Sequence, residues 1–451
     1  MQFIADLQLH SKYSRAVSLR MDLFEIVSWA AKKGIQLVAT GDWTHPLWFR
    51  HLTDNLAETA EGSGLFQLKK PAEEPTRDVI FFLSTEISSI YSQGGKTRRV
   101  HNLVFSPSIS ACQRFIKKLQ GRGANLMADG RPIVGISAKE LLAMCLEVDE
   151  RMLLIPAHAW TPWFSIFGSK SGFDSIKECF EDLSSYIYAV ETGLSSDPIM
   201  NWQIKELDSR AIVSFSDAHS GPKLGREATV FITNDARLLP HDLTYDDISA
   251  ALKQETNSRL KIGYTIEFFP EEGKYHWSGH RACNVRYSPP EVKEKGTVCP
   301  VCHRPLTIGV ENRVIDLSSQ TLLPADLLLI KNKAGLTFVY DKDKKRRPFV
   351  SAVPLLEVLL EINHHSPTAA LYEYHKLTAS LGSEFDILLR LSYETLEKKA
   401  GIKLRQAIEI VRDRKVSVDP GYDGVFGKVH IFKNDDQTLN QSGGGTQTSL
   451  F

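Results

Sequence analysis

The residues able to do chemistry in this chain stand at the ends of short apolar runs. The run "MQFIA" leads into Asp6, Gln8 and His10, with an amide where a second His would complete a metal-binding strand end of the form Asp-x-His-x-His. Asp42 and His45 follow the next run in "TGDWTHP", Glu86 lies in "FFLSTEI", His101 in "RRVHNLVF" and His158 in "LLIPAHAW". Glu191 ends "YAVE", and Asp217 and His219 stand in "SFSDAHSG". Imidazole nitrogens and carboxylate oxygens are the groups that hold Zn²⁺ or Mn²⁺. Two or three such ions would polarise a phosphate and convert bound water to hydroxide at neutral pH. A single His is commonly just hydrogen-bonded; repetition at successive run ends is what argues for metal. The expected ligand positions are Gln8, His10, Asp42, His45, Glu86, His101, His158, Asp217 and His219, with Glu86, His158, Asp217 and His219 closest to catalysis. Glu191 is the weakest member of the set, since a carboxylate at a strand end often serves as a cap or supports a ligand from behind.

A second constellation lies downstream. His280-x-x-Cys283 and Cys299-x-x-Cys302 are two pairs at the spacing that lets a tight knuckle present both ligands to one tetrahedral Zn²⁺. His276 and His303 are alternative fourth ligands. Cys112, Cys145 and Cys179 are isolated, whereas Cys283, Cys299 and Cys302 are clustered, and in a reducing compartment the cluster points to metal rather than disulfides.

Seven apolar runs must position the first set: "MQFIA", "IQLVAT", "VIFFLS", "RVHNLVF", "MLLIPA", "YIYAVE" and "AIVSFS". Amphipathic stretches such as "MDLFEIVSWAAKKG" and "SACQRFIKKLQG" lie between some of them, the second closed by a Gly expected to act as C-cap. The alternation argues for an α/β fold with a parallel barrel, whose C-terminal strand ends bring side chains to one face. The expected organisation is a catalytic barrel over 1–265, a zinc module over 266–315, a helix-rich DNA-binding region over 316–432 with a helix pair turning at Gly401, and a flexible polar tail over 433–451. In 451 residues, 42% are apolar and 24% charged, as in an ordinary globular protein. Lys+Arg and Asp+Glu both number 54, so contact with a polyanion must come from local patches. No apolar run approaches the roughly 18 residues of a membrane span. A cytoplasmic, nucleoid-associated monomer with no membrane partner is expected.

Together, "ADLQLHS", "TGDWTHP", Glu86, His101, "PAHAW" and "SDAHSG" resemble the successive motifs of the PHP (polymerase and histidinol phosphatase) domain, a distorted seven-stranded β/α barrel whose multinuclear metal centre hydrolyses phosphoesters. Gln8 departs from that pattern, as does the separation of Asp42 from His45. With the zinc module, "TIEFFPEEGKYHWSGHR" before it and "PGYDGVFGKVHIF" near the end, residues 1 to 432 resemble the endonuclease Q family. The resemblance implies a DNA repair endonuclease that recognises hypoxanthine, uracil, xanthine or abasic sites and cuts 5′ of the lesion. It also implies structural Zn²⁺, with Zn²⁺, Mg²⁺ or Mn²⁺ at the catalytic site. Gln8 implies reduced activity or an inactivated variant.

Candidate DNA contacts come in two kinds. Basic clusters comprise Lys96, Arg98 and Arg99; Lys117, Lys118 and Arg122; and Lys344, Lys345, Arg346 and Arg347. Trp160, Trp163, Phe164 and Phe167 follow His158 directly and could stack beside an extruded base. In the tail, Gln447, Leu450 and Phe451 of "QTSLF" resemble the short motif by which bacterial repair enzymes dock on the sliding clamp. The alternatives are a PHP phosphatase for a small phosphate ester, which would need neither zinc module nor tail, and a DNA-binding protein without activity.

Overall fold

The computed structural model describes residues 1–70 and 78–432. All seven apolar runs form strands: Gln2–Asp6, Leu37–Ala39, Ile80–Phe82, Lys96–Phe105, Leu153–Pro156, Ala189–Glu191 and Ala211–Val213. Their side chains alternate. Phe3, Ala5, Leu37, Ile80, Phe82, Leu103, Phe105, Leu153, Ile155, Ala189, Ala211 and Val213 share one buried apolar cluster. Ile4, Val38, Phe81, Val104, Leu154 and Val190, the residues between them, belong to a second. This is the period-2 consequence of strand geometry, successive side chains going to the two faces of each strand.

The strand directions are mixed, not all parallel. Gln2–Asp6 pairs in parallel with Leu37–Ala39, which pairs in parallel with Ile80–Phe82. The next strand, Ser84–Gln93, pairs antiparallel with Lys96–Phe105, and Lys96–Phe105 pairs antiparallel with Leu153–Pro156. The cause is local: Gly94 and Gly95, at φ 60° and 72°, make a two-residue hairpin turn, and so short a connection can only reverse the chain. Ala189–Glu191 pairs in parallel with Ala211–Val213. Ala159 N donates to Glu191 O at 3.1 Å and His10 N to Ala218 O at 3.0 Å, bringing the ends of these strands beside their neighbours.

Ala228–Ile232 runs antiparallel to the first strand and Lys261–Glu267 antiparallel to it in turn. Phe349–Ser351, Thr337–Asp341 and Leu327–Lys331 extend the same sheet to ten strands. Residues expected to lie in the helix-rich region thus continue the large sheet before the helices Leu355–Ile362, Pro367–Leu381, Tyr393–Ala400 and Ile402–Arg412. Gly401 turns between the last two at φ 89°, as expected.

Helix ends follow local chemistry. Asp22 caps Leu23–Lys33 by accepting from Phe24 N and Glu25 N, a contact worth about 1 kcal/mol, and Gly34 closes that helix at φ 85°. The helix Ile109–Gly121 ends at the expected Gly, but its C-cap is Arg122. Gly121 is its last helical residue, and the left-handed turn falls on Gly123 at φ 80°. None of the described helices is long and apolar enough to cross a membrane.

Candidate metal centre

Six of the expected ligands meet in two groups, each with ligand atoms within 4.8 Å of one another: His10, Asp217 and His219, and Glu86, His101 and His158. Glu86 spans both. Its Oε2 lies 3.1 Å from His10 Nε2, and its Oε1 lies 2.5 Å from His101 Nδ1 and 3.6 Å from His158 Nε2. His10 Nε2 is also 3.2 Å from Asp217 Oδ1. A carboxylate with one oxygen on each group is the arrangement that bridges two cations about 3.5–4 Å apart.

Asp42 and His45 are placed otherwise, which revises their expected role as direct ligands. Asp42 stands behind His10, its Oδ1 2.9 Å from His10 Nδ1, while its Oδ2 accepts from Ser11 N at 2.6 Å, Ser11 Oγ at 2.7 Å and Ser14 Oγ at 2.9 Å. Its lone pairs are thereby committed to orienting His10. His45 caps the helix Pro46–Asn55 and stacks on Tyr13 at 4.5 Å. Its Nδ1 has no hydrogen-bond partner among the described residues. The Asp-x-x-His spacing turns the backbone into a helix start between the two, so they face different neighbours. Gln8 donates from Nε2 to Glu86 Oε2 at 2.8 Å, so the amide holds the carboxylate, and its own Oε1 is buried without a partner. Glu191 supports from behind, accepting from His158 N at 2.6 Å.

Backbone strain marks the same place. Asp42, His158 and Asp217 occupy left-handed conformations at φ 46°, 31° and 46°. Such residues cost roughly 1 kcal/mol or more each and persist where the surrounding fold dictates them. Asp6, at the end of the first strand, accepts from Ser216 N and Gly225 N, both at 2.9 Å, and so ties the loop carrying Asp217 to that strand.

Electrostatics keep the carboxylates ionised, while against burial Asp42, Asp217 and Glu86 raise His10 well above the ordinary imidazole range, a proton that a bound cation would have to displace. Burial pushes Glu86 up, but His101 and Arg131 outweigh it and hold its carboxyl well below the usual range. Asp217 is lowered too, His219 and His10 overcoming burial. Burial takes His101 down to about 4 against the pull of Glu86. Ionised carboxylates beside a neutral imidazole are what a metal requires of its ligands. Asp217 Oδ1 and Gln8 Oε1 are buried without a hydrogen-bond partner among the described residues. The donor set therefore fits divalent cations.

The four residues of the second constellation also converge, with the ligand atoms of His280, Cys283, Cys299 and Cys302 within 4.8 Å of one another. Cys302 Sγ lies 3.3 Å from His280 Nδ1, and His303 N donates to Cys299 O at 2.9 Å to close the knuckle turn. Against the upward push of desolvation, the backbone N–H groups of Cys302 and Val301, with His280, bring the Cys299 thiol down to about 6. His276 lies elsewhere, with Nε2 3.5 Å from Glu311. His303 is outside the group of four.

No family model matches the chain. An uncharacterized protein of Bacillus subtilis, YqxK, is 26% identical over 437 residues, covering 94% of this chain and 98% of that protein. An uncharacterized protein of Methanocaldococcus jannaschii is 27% identical over 276 residues, covering 60% of this chain but only 31% of that longer protein. The crystal structure of the lesion-specific endonuclease PfuEndoQ from Pyrococcus furiosus matches with a TM-score of 0.77 at 28% identity, covering 98% of this chain and all of the other. A complex of endonuclease Q with a 27-mer duplex bearing an abasic lesion at the active site matches at 0.78, with the same identity and coverage. Over nearly its whole length the chain is similar in fold and sequence to endonuclease Q.

In this endonuclease Q-like chain the expected DNA contacts divide sharply. Trp160 and Phe167 are core residues, 1% and 0% exposed, packed on each other at 4.7 Å with Trp160 Nε1 donating to Asn201. They cannot stack on a base without unpacking the loop. Trp163 and Phe164 are half-buried at the surface. Phe164 lies 4.7 Å from the His101 ring, at the metal centre, and Trp163 lies 5.8 Å from Tyr275. Arg98 is buried over the Phe173 ring at 4.0 Å and paired with Glu178 at 2.7 Å, so it is a packing residue and not a phosphate contact. Arg99 stays half-exposed. Lys118 and Arg122 are paired with Glu147 and Glu140. Arg346 pairs with Asp208 at 2.5 Å and Arg347 is exposed. Both line a cavity of about 210 Å³ with Trp202 and Arg210, which none of the metal-centre residues lines. Gln447, Leu450 and Phe451 lie outside the described residues. Ser11, Ser14 and Arg131 had no signal in apolar patterning, because they act from turns.

Proposed function

We propose that the chain hydrolyses the phosphodiester backbone of DNA beside a damaged nucleotide. The observation that carries this is the end-to-end likeness to endonuclease Q seated on a duplex with an abasic lesion at its active site. The substrates we assign are deaminated bases (hypoxanthine, uracil and xanthine) and abasic sites, with the cut 5′ of the lesion. The strand pairings support a distorted seven-stranded PHP barrel as the catalytic unit. The His/Cys cluster supports a structural Zn²⁺ module within residues 266–315, and residues 316–432 complete the DNA-binding surface.

Glu86, His101 and His158 would hold one cation and His10, Asp217 and His219 a second, shared through Glu86; Zn²⁺, Mn²⁺ and Mg²⁺ are the candidates. Such ions, when bound, polarise the phosphate and lower the pKa of a coordinated water. The rest is the work of the chain. Asp42 takes the His10 Nδ1 side, leaving Nε2 to face the centre. Glu191 fixes the backbone of His158. Phe164 covers His101 and shields that side from water.

The test is end-labelled duplex carrying a single deoxyinosine, deoxyuridine or abasic site, incubated with each metal. Lesion-dependent scission on the 5′ side is expected; release of phosphate from small esters with intact DNA would replace this reading with a phosphatase. The tail is assigned to the sliding clamp through Gln447, Leu450 and Phe451. Deleting residues 447–451 should abolish clamp capture while sparing oligonucleotide cleavage, and retained capture would reject the assignment.

A further inference from the structure

Arg131 reaches the metal centre from a turn built to deliver it. Gly130 N donates to Tyr13 O and Ser88 N to Pro132 O, both at 3.0 Å, so the turn is anchored on each side of Arg131. Arg131 N donates to Asp129 Oδ1 at 3.1 Å. The turn lies so close to the centre that a Cβ at residue 130 would stand 2.4 Å from Asp42 Oδ2 and from Ser14 Oγ. Glycine there is a condition of the approach.

The guanidinium then sits at the rim. Nη1 lies 3.3 Å from Glu86 Oε1, the oxygen that also meets His101, and the side chain is 25% exposed. Among the described residues this is the one Lys or Arg side chain paired with a carboxylate of either ligand group, and Glu86 is its one side-chain hydrogen-bond partner. A guanidinium carries five donors in a planar fork, so the remainder face outward where a substrate must approach. Arg has no lone pair to give a metal, but its fork matches the non-bridging oxygens of a phosphate.

We propose that Arg131 is a catalytic residue of this chain, clamping the scissile phosphate over the Glu86 bridge. The proposal rests on the phosphodiester-hydrolase reading above. Negative charge grows on the non-bridging and leaving oxygens during hydrolysis, and a fixed cation already in place stabilises it without reorganisation.

The test compares wild type, Arg131→Ala and Arg131→Lys after loading with Mn²⁺. Three quantities are read: metal content, affinity for inorganic phosphate, and the single-turnover cleavage rate on abasic duplex. Arg131→Ala should keep its metal and its melting temperature, lose at least about tenfold in phosphate affinity, and cleave about 100-fold more slowly, the scale of one preorganised donor. Arg131→Lys should fall between, keeping charge without the fork. Unchanged phosphate affinity in Arg131→Ala overturns the clamp. Loss of metal along with affinity also overturns it, because Arg131 would then act by holding Glu86. If wild type fails to cut DNA yet Arg131→Ala alone loses phosphate affinity, the clamp stands and the DNA reading falls.

Discussion

Glu86 receives Gln8 and His10 on one oxygen and His101 and Arg131 on the other, so small changes around it are felt by both ligand groups. Gln8 is the informative case. An amide donor at 2.8 Å holds the carboxylate in place but offers at best a weak oxygen to a metal, where an imidazole would offer nitrogen. Gln8→His should therefore raise metal occupancy and speed lesion cleavage at least about tenfold, with DNA affinity little changed. Elemental analysis beside single-turnover kinetics reads both; if neither moves, residue 8 is not a ligand position. The residue types at the strand ends made the candidate metal centre legible from sequence, six of them converging in two groups. What stayed hidden was which of them touch: Asp42 and His45 carry the same donor chemistry as the six residues that converge, and only the turn between them, with Ser11 and Ser14 filling the lone pairs of Asp42, sets them apart.

Between the candidate metal centre and the His/Cys cluster runs the segment 159–174, held at its middle and its C-terminal end by Arg313, which donates to Phe167 O at 2.9 Å, to Phe173 O at 3.1 Å and to Asp174 at 2.6 Å. Ser169 Oγ donates to Ile308 O at 3.0 Å from the same segment. The stretch that carries the His/Cys cluster thus props the loop whose Phe164 covers His101. Cys299→Ser should release one zinc per chain, lower the melting temperature of that region, and slow cleavage through the loosened loop. Unaltered zinc by elemental analysis would refute the ligand assignment. At this scale the sequence was legible in its periodicities: seven apolar runs became seven strands, and the knuckle pairs met. Strand direction was not, since a two-glycine hairpin reversed Lys96–Phe105 inside a pattern that otherwise reads as parallel. Nor was the burial of Trp160 and Phe167, because an aromatic in a loop looks the same whether it faces solvent or core.

The whole molecule is joined by a buried ion pair. Lys33, at the end of the first helix, lies 2.8 Å from Glu384, and both side chains are almost wholly enclosed. Glu384 also accepts from Leu355 N at 3.0 Å, so one carboxylate joins the first helix to the C-terminal helices. Removing one partner of such a pair strands the other without solvent, at a cost of about 3–5 kcal/mol. Lys33→Met should lower the denaturation midpoint accordingly, and adding Glu384→Gln should restore much of the loss. A single mutant as stable as wild type would show that the pair contributes nothing to docking the two regions.

Asp42, His158 and Asp217 hold backbone conformations that glycine or asparagine would adopt more comfortably. Selection for heat resistance alone would therefore press on these positions first, and each gain there would come from dismantling the centre. Asp, His and Asp at these three strained positions are thus the choice that chemistry, and not stability, would dictate.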